Sequence, residues 1–382
     1  MEPTDGLPFV PDFRASHGPF LVDQGSGEEY LSLHTCPGAA VLGVNPPELV
    51  DDTEFLTQLA QARHEPTGTE ADRRQRAEFA DTFARVLGDP RLPYREFVDD
   101  GVQAVARAVE YATAWKRGHN AAHGRRAPGN RVLALRPPGA GPEHGPAFER
   151  AALEHTRRAF AAHGDDIACL VAEPILAGPG DHHVRAGFLQ AAQRLCHDND
   201  ALLVLDEVRT GVGLTGTPWA YQQLGLAPDV VAFGDRLRLG GVMAGHRAAP
   251  ATELGVAGAL ADLVHARRVL EVVETRDLCG RARRLGRVLV AMLGRLTVRF
   301  PDHVSHVRGR GLMCGFDLSS TEVRDEMVAG LREYERVLVR PAGPRSIGLR
   351  APLTVTLEEL EAGVFAMHRV LAGLERRSVR AA

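Results

Sequence analysis

Three short, almost wholly apolar runs dominate the middle of the chain: IACLVAEP (167–174), ALLVLDEV (201–208) and DVVAFG (229–234). Helical patterns at 187–197 and around 217–225 separate them. Strands without a polar face are buried on both sides, and strands alternating with helices at this spacing form a parallel sheet between helix layers. Such a sheet opens its ligand crevice at the carboxyl ends of its strands. Glu173, Asp206 and Asp235 all fall there. The pattern predicts an α/β protein, with a large domain whose mostly parallel sheet is flanked by helices and a smaller C-terminal α+β domain.

The divisions expected are an N-terminal segment over 1–49 that packs with the small domain, a large domain over 50–268, and a linking helix with the small domain over 269–382. In REFVDDGVQAVARAVEYATAWKRGHN a short strand leads through a turn at Asp99-Asp100-Gly101 into an amphipathic helix ending near Arg117. The Pro/Gly-rich PPGAGPEHGPAFER reads as a bare connection. One long helix is predicted over 258–299.

Composition narrows the partners. A net charge of −4 over 382 residues carries no basic footprint for nucleic acid. No aliphatic run is long enough to span a bilayer, and the first residues lack a signal-peptide pattern, so no membrane partner and a cytoplasmic location are expected. Five scattered cysteines, with no C-x-x-C pair and one left over, fit a reducing compartment. No histidine pair has metal-ligand spacing: His182 and His183 are adjacent and His34 is remote, so no metal site is predicted. Gly211-x-Gly213-x-x-Gly216 is separated from its strand by Asp206 to Thr210, which argues against a dinucleotide loop. Of the 45 basic residues, Lys116 alone is lysine. At fifteen positions along its helix it lies roughly 22 Å from the turn that opens it.

The blocks GVNPPELVDD, FARVLGDP, AWKRGHNAAHG, DIACLVAEPI, LDEVRTGVGLTGTPWAYQQLGLAPDVVAFG, GVMAG, ARRVLEV, RGRGLMC and APLTV, in this order, resemble the class III aminotransferases of pyridoxal-phosphate (PLP) fold type I, in their lysine ε-aminotransferase branch. The resemblance implies a homodimer with its active site at the subunit interface. It places Asp206 as the partner of the pyridinium nitrogen, Val208 beneath the ring, and Arg350 as the guanidinium that grips a substrate carboxylate.

Other positions depart from that pattern. Asp235 stands where the family has the cofactor-bearing lysine, and a carboxylate forms no imine. Asp99, Asp100 and Gly101 occupy the phosphate cup, where like charges repel a dianion by roughly 1–4 kcal/mol per pair. Arg209 replaces the glutamine that contacts the ring hydroxyl. The loop that stacks on the ring is missing after VLALR, the hydroxyl residue reaching the partner's phosphate falls near Gly255, and the glutamine and glutamate of the EPILAGPGD region fall on Leu176 and Gly178.

From these residues alone, PLP binding is expected to be lost, with no cofactor-binding residues assigned. Two readings stay open. One is a repurposed PLP-independent enzyme of specialised metabolism acting on a small carboxylated or amino-acid-derived metabolite, with Asp206, Asp235 and Arg209 catalytic and Arg350, Arg236 and His34 holding substrate. The other is a non-catalytic pseudoenzyme that partners an aminotransferase or another pathway protein. For Asp235 itself, a salt bridge to Arg209 or a cap on the turn that follows it is the plainer expectation.

Overall fold

The computed structural model describes residues 7, 9–34, 41–135, 145–176, 180–249 and 255–381. The N-terminal part contributes strands β1 (Phe20–Val22) and β2 (Glu29–Ser32) and helices α1 (Pro47–Val50), α2 (Thr53–Ala62) and α3 (Glu70–Val86). The central part runs β3 (Tyr94–Val98), α4 (Gly101–Ala122), β4 (Arg131–Ala134), α5 (Pro146–His163), β5 (Ile167–Ala172), α6 (Ala186–Asp198), β6 (Leu202–Asp206), β7 (Val230–Phe233) and β8 (Gly240–Ala244). Helices α7 (Leu260–Thr275) and α8 (Leu278–Arg299) follow. The chain closes with β9 (Val304–Arg310), β10 (Met313–Leu318), α9 (Thr321–Glu335), β11 (Val337–Leu338), β12 (Arg340–Pro341), β13 (Ser346–Arg350) and α10 (Leu357–Ala381).

The apolar runs form the middle of a six-stranded sheet in the order β3-β8-β7-β6-β5-β4. Neighbours from β4 through β7 are parallel, and β8 lies antiparallel between β7 and β3. Every residue of β7 and β8 is buried. On one face α4 lies close to the sheet because it presents alanine there: Ala104, Ala108 and Ala112, one per turn, pack fully buried against Val204, Val230, Ala232 and Val242. On the other face Phe79 and Phe83 of α3 meet Phe97, Phe233 and Trp219 in a cluster of stacked, tilted and edge-on rings. A second sheet, β12-β13-β10-β9, is antiparallel, and a third joins β1 and β2 to β11, with β2 and β11 parallel.

Several local expectations are corrected. The helix predicted over 258–299 is two helices, broken where Asp277 takes a left-handed conformation (φ 46°) and caps α8 by accepting the Gly280 N–H. The helix expected around 217–225 is a single 3-10 turn over Ala220–Gln223. Helix α4 continues five residues past Arg117. The end of the supposed bare connection is helical from Pro146; residues 136–144 lie outside the described residues.

The segment after β6 is held by a buried acid that the sequence pattern does not single out. Glu207 has no exposure, and its carboxylate accepts the Ala220 and Tyr221 N–H groups (3.1 and 2.8 Å) and the Thr210 hydroxyl. Burial raises its pKa to about 7 despite these donors. The folded state therefore binds this proton more tightly than the unfolded chain. Its stabilising contribution is complete below about pH 4.5 and lost as pH rises through 7. Urea titrations of the protein and of Glu207→Gln across that window are expected to show wild type losing stability relative to the variant, by on the order of 3 kcal/mol. A pH-independent difference would refute the assignment.

Candidate active site

The carboxyl ends of β5, β6 and β7 and the N-terminus of α4 converge on one rim of the large sheet. Asp206, the last residue of β6, is partly buried and its Oδ1 accepts the Val208 N–H at 3.0 Å. Burial raises its pKa. The Val208 N–H and Arg209 counteract that rise, and the charge of Asp235 adds to it.

Asp235 begins the turn between β7 and β8 with φ 59°, and Arg238 in the same turn has φ 61°. Such backbone is tolerated by Asp and costs more for Arg. Bending this way brings the Asp235 carboxylate over α4, where Oδ1 accepts the Gly101 N–H at 3.2 Å. Asp100 caps the same helix by accepting the Gln103 N–H at 2.8 Å. The two carboxylates thus take two of the donors that a helix N-terminus offers to an anion. This close seating depends on glycine: a Cβ on Gly101 would sit 2.5 Å from a Val208 methyl, and one on Gly240 only 2.1 Å from the Asp100 carbonyl oxygen.

The expected Arg209–Asp235 bridge does not form. Arg209 turns to Glu173 instead (2.9 Å), while Asp235 caps a helix distant in sequence and not its own turn. Arg209, His34 and Arg350 do come together with Asp181 and Arg340 around a crevice of about 300 Å³. Arg350, at the end of β13, donates from Nη2 to Asp181 Oδ1 at 2.5 Å, both side chains being largely buried. Arg340 donates to His34 Nε2 at 3.4 Å, which leaves the ring proton on Nδ1. Burial, followed by the charges of Arg350 and Arg340, lowers the His34 pKa to about 3, so this imidazole is neutral in the physiological range. Of the three guanidiniums at this mouth, Arg350 is paired with Asp181 and Arg209 with Glu173.

Arg236 is not part of it. Its side chain lines a second pocket with Leu49, Phe55 and His265. Asp181 and Arg340 are the members that residue patterns did not supply; Glu173 was expected at the strand end but not as the partner of Arg209. Asp181 lies 169 positions from Arg350, next to His182, which bridges Leu176, and its only signal in the sequence is an acid beside GPG. Among the described residues no three His, Cys, Asp or Glu side chains gather as metal ligands. Gly178 lies outside the described residues.

A mixed sheet flanked by helices, with an acid at the end of β6 and an arginine-lined crevice beside it, defines a PLP-dependent transferase fold of type I, and the chain belongs to the class III aminotransferase family, whose model (Aminotransferase class-III) matches residues 128–371. It is 41% identical to the L-lysine-epsilon aminotransferase of Mycobacterium tuberculosis, over 96% of this chain and 92% of that protein. It is 40% identical to the enzyme of the same name from Streptomyces clavuligerus, over 95% and 90%. The solved structure of the M. tuberculosis lysine aminotransferase in its internal aldimine form superposes with a TM-score of 0.88 at 40% identity, covering 97% and 96% of the two chains. An acetylornithine aminotransferase from Elizabethkingia anophelis shares the fold at 21% identity, with a TM-score of 0.78.

These findings overturn the expectation of a PLP-independent enzyme or a pseudoenzyme, and with it that of no cofactor. Relatives matching nearly the whole chain carry the name of an aminotransferase. The changes lie at one rim of the sheet, whereas the similarity runs over nearly the whole chain.

Asp206 and Val208, the residues that the resemblance assigns to the ring of pyridoxal phosphate, stand together at the end of β6, where Asp206 accepts the Val208 N–H. The described residues do not fit a cofactor anchored through lysine. Lys116, the only lysine, is fully buried near the far end of α4 and donates to the Asp200 carbonyl at 2.7 Å, just before β6 begins, whereas Asp206 ends that strand. Nor do they fit the phosphate as they stand, since Asp235 already occupies the Gly101 N–H.

Replacing Asp235 by Asn keeps a residue that accepts left-handed backbone and removes the charge. The Asp206 pKa is expected to fall in this variant, and stability to drop by about 0.3–1 kcal/mol as the anion leaves the helix N-terminus. Carboxyl carbon NMR titration follows the first effect. An unchanged or higher Asp206 pKa would contradict the proximity described.

Proposed function

We propose that this chain is an aminotransferase acting on a lysine-like amino acid, as a homodimer, with pyridoxal phosphate held non-covalently. The observation that carries this reading is the 41% identity to an L-lysine-epsilon aminotransferase over 96% of the chain, combined with the presence of Asp206 and Arg350. When bound, the cofactor supplies an electron-withdrawing ring on which an amino group is exchanged. Asp206 is the group placed to hold the ring nitrogen. Arg350 is placed to hold a substrate carboxylate, its orientation fixed by Asp181. Arg340 and neutral His34 extend that grip without adding a competing negative charge, which suits a substrate class of amino acids and oxo acids. Arg209, tethered to Glu173, closes the other side of the mouth. The chemistry cannot call on a lysine amine, so the proton-moving group differs from that implied by the family resemblance.

The test is direct. The purified chain is incubated with pyridoxal phosphate, lysine and 2-oxoglutarate; the expected outcome is glutamate formation together with retention of the cofactor on gel filtration. Borohydride reduction is expected to leave no pyridoxyl group on the chain. Arg350→Gln is expected to raise KM for the carboxylated substrate by about tenfold or more, since a charged hydrogen bond is worth about 1.5–3 kcal/mol. Asp235→Asn is expected to bind the cofactor more tightly. Absence of both glutamate and cofactor retention would sink the proposal.

A further inference from the structure

Strand β12 is only two residues long, yet it sets a charge at the crevice. In its antiparallel pairing with β13, Arg340 stands opposite Gly348, and Arg350 follows Gly348 by two positions. Cross-strand partners share a face of the sheet, as do residues two apart on one strand, so the two arginines are diagonal neighbours on the same face, roughly 7–8 Å apart. Gly348 puts no side chain between them, and a Cβ there would stand 3.1 Å from Asp181 Oδ2. Both arginines line the crevice of about 300 Å³.

Their surroundings differ. Arg350 is largely buried and paired with Asp181, and Arg209 across the crevice is paired with Glu173. Arg340 is exposed, and its one hydrogen bond among the described residues is a long one, to His34 Nε2 at 3.4 Å. That imidazole is neutral, so the contact leaves the charge of Arg340 uncompensated. Among the described residues, three guanidiniums face two carboxylates, and the positive charge left over sits on the arginine that solvent and ligand can reach. A monocarboxylic amino acid is neutral overall, and one with an ammonium on its side chain is positive. An amino acid with a second carboxylate carries the single negative charge that balances this mouth, and its two carboxylates can meet Arg350 and Arg340 together.

We propose that Arg340 is a specificity-determining residue of this crevice, receiving the distal carboxylate of a dicarboxylic amino acid or oxo acid whose first carboxylate is held at Arg350. The inference rests on the proposed reading of the crevice as the substrate site of an aminotransferase, and it names one of the two substrate classes. Arg340 touches no bond that breaks. It separates diacids from monoacids of the same length.

Calorimetric titration of the purified full chain with glutarate, and with pentanoate, which lacks the second charge, tests the proposal in wild type, Arg340→Gln, Arg340→Lys and Arg350→Gln. Wild type is expected to bind glutarate at least about tenfold more tightly than pentanoate. In Arg340→Gln that preference is expected to disappear while the melting temperature stays as in wild type, because the side chain is exposed; Arg340→Lys is expected to keep most of the preference. Arg350→Gln is expected to weaken both acids. In turnover, Arg340→Gln is expected to raise KM for 2-oxoglutarate and not for lysine. A wild type that binds the two acids alike, or binds neither, overturns the proposal, as does a preference for glutarate that survives in Arg340→Gln. Equal loss of both acids in Arg340→Gln with a lowered melting temperature would mark the residue as structural and reject it too. The titrations do not depend on turnover. A chain that prefers glutarate through Arg340 but forms no glutamate would reject the aminotransferase reading alone; one that forms glutamate while Arg340→Gln keeps the preference would reject the role of Arg340 alone.

Discussion

The architecture of the rim rests on a backbone-to-backbone contact: the first turn of α4 pressed onto the strand ends at Gly234 and Gly240. A Cβ on Gly234 would come within 2.4 Å of the Gly101 Cα, and one on Gly240 closer still to the Asp100 carbonyl oxygen. Packing this tight is available only without side chains. It fixes the helix axis over the sheet, and the alanine stripe of α4 then follows as the only face that fits beneath it. The same contact brings Asp235 within reach of an N–H that belongs to a helix more than a hundred residues earlier in the chain. Electrostatics at the rim are therefore a consequence of sterics: where the helix begins decides which carboxylate meets it.

That geometry separates two kinds of ionic arrangement. Arg350 with Asp181 and Arg209 with Glu173 are neutralised within the chain, and each guanidinium is oriented by its acid. Arg236 has been taken from water without such an acid among the described residues. Pairs of the first kind hold a shape, because breaking one leaves a stranded charge costing several kcal/mol. A lone cation of the second kind holds nothing in place.

Much of the fold could be read in the residues. The apolar runs ending at Glu173, Asp206 and Gly234 gave the parallel strands and their direction, because strands buried on both faces have few other places to go. The errors came where local conformation overrides periodicity. Asp277 breaks a helix whose hydrophobic spacing runs straight through it, by adopting left-handed backbone and turning its own side chain into a cap. The turn at 220–223 reads as helix because its true organiser, Glu207, acts from thirteen positions away. At the site, Asp206 and Arg350 were legible, since a strand end and a family resemblance mark them. Asp181 and the partnership of Arg209 with Glu173 were not, since each depends on a tertiary approach that no sequence interval encodes. In function, Asp235 and the other departures at the rim are real changes in chemistry, but they do not outweigh the similarity of some four residues in ten along the chain.

Lys116 carries a consequence of a different sort. Its ammonium is enclosed between α4 and the segment leading into β6, bonded to the Asp200 carbonyl, and fully shielded. The native protein consequently offers acylating reagents no lysine side chain at its surface. Any label that reaches this nitrogen has entered through an opening of the central sheet's amino edge. The rate of its modification is a stopwatch for how often the heart of the molecule breathes.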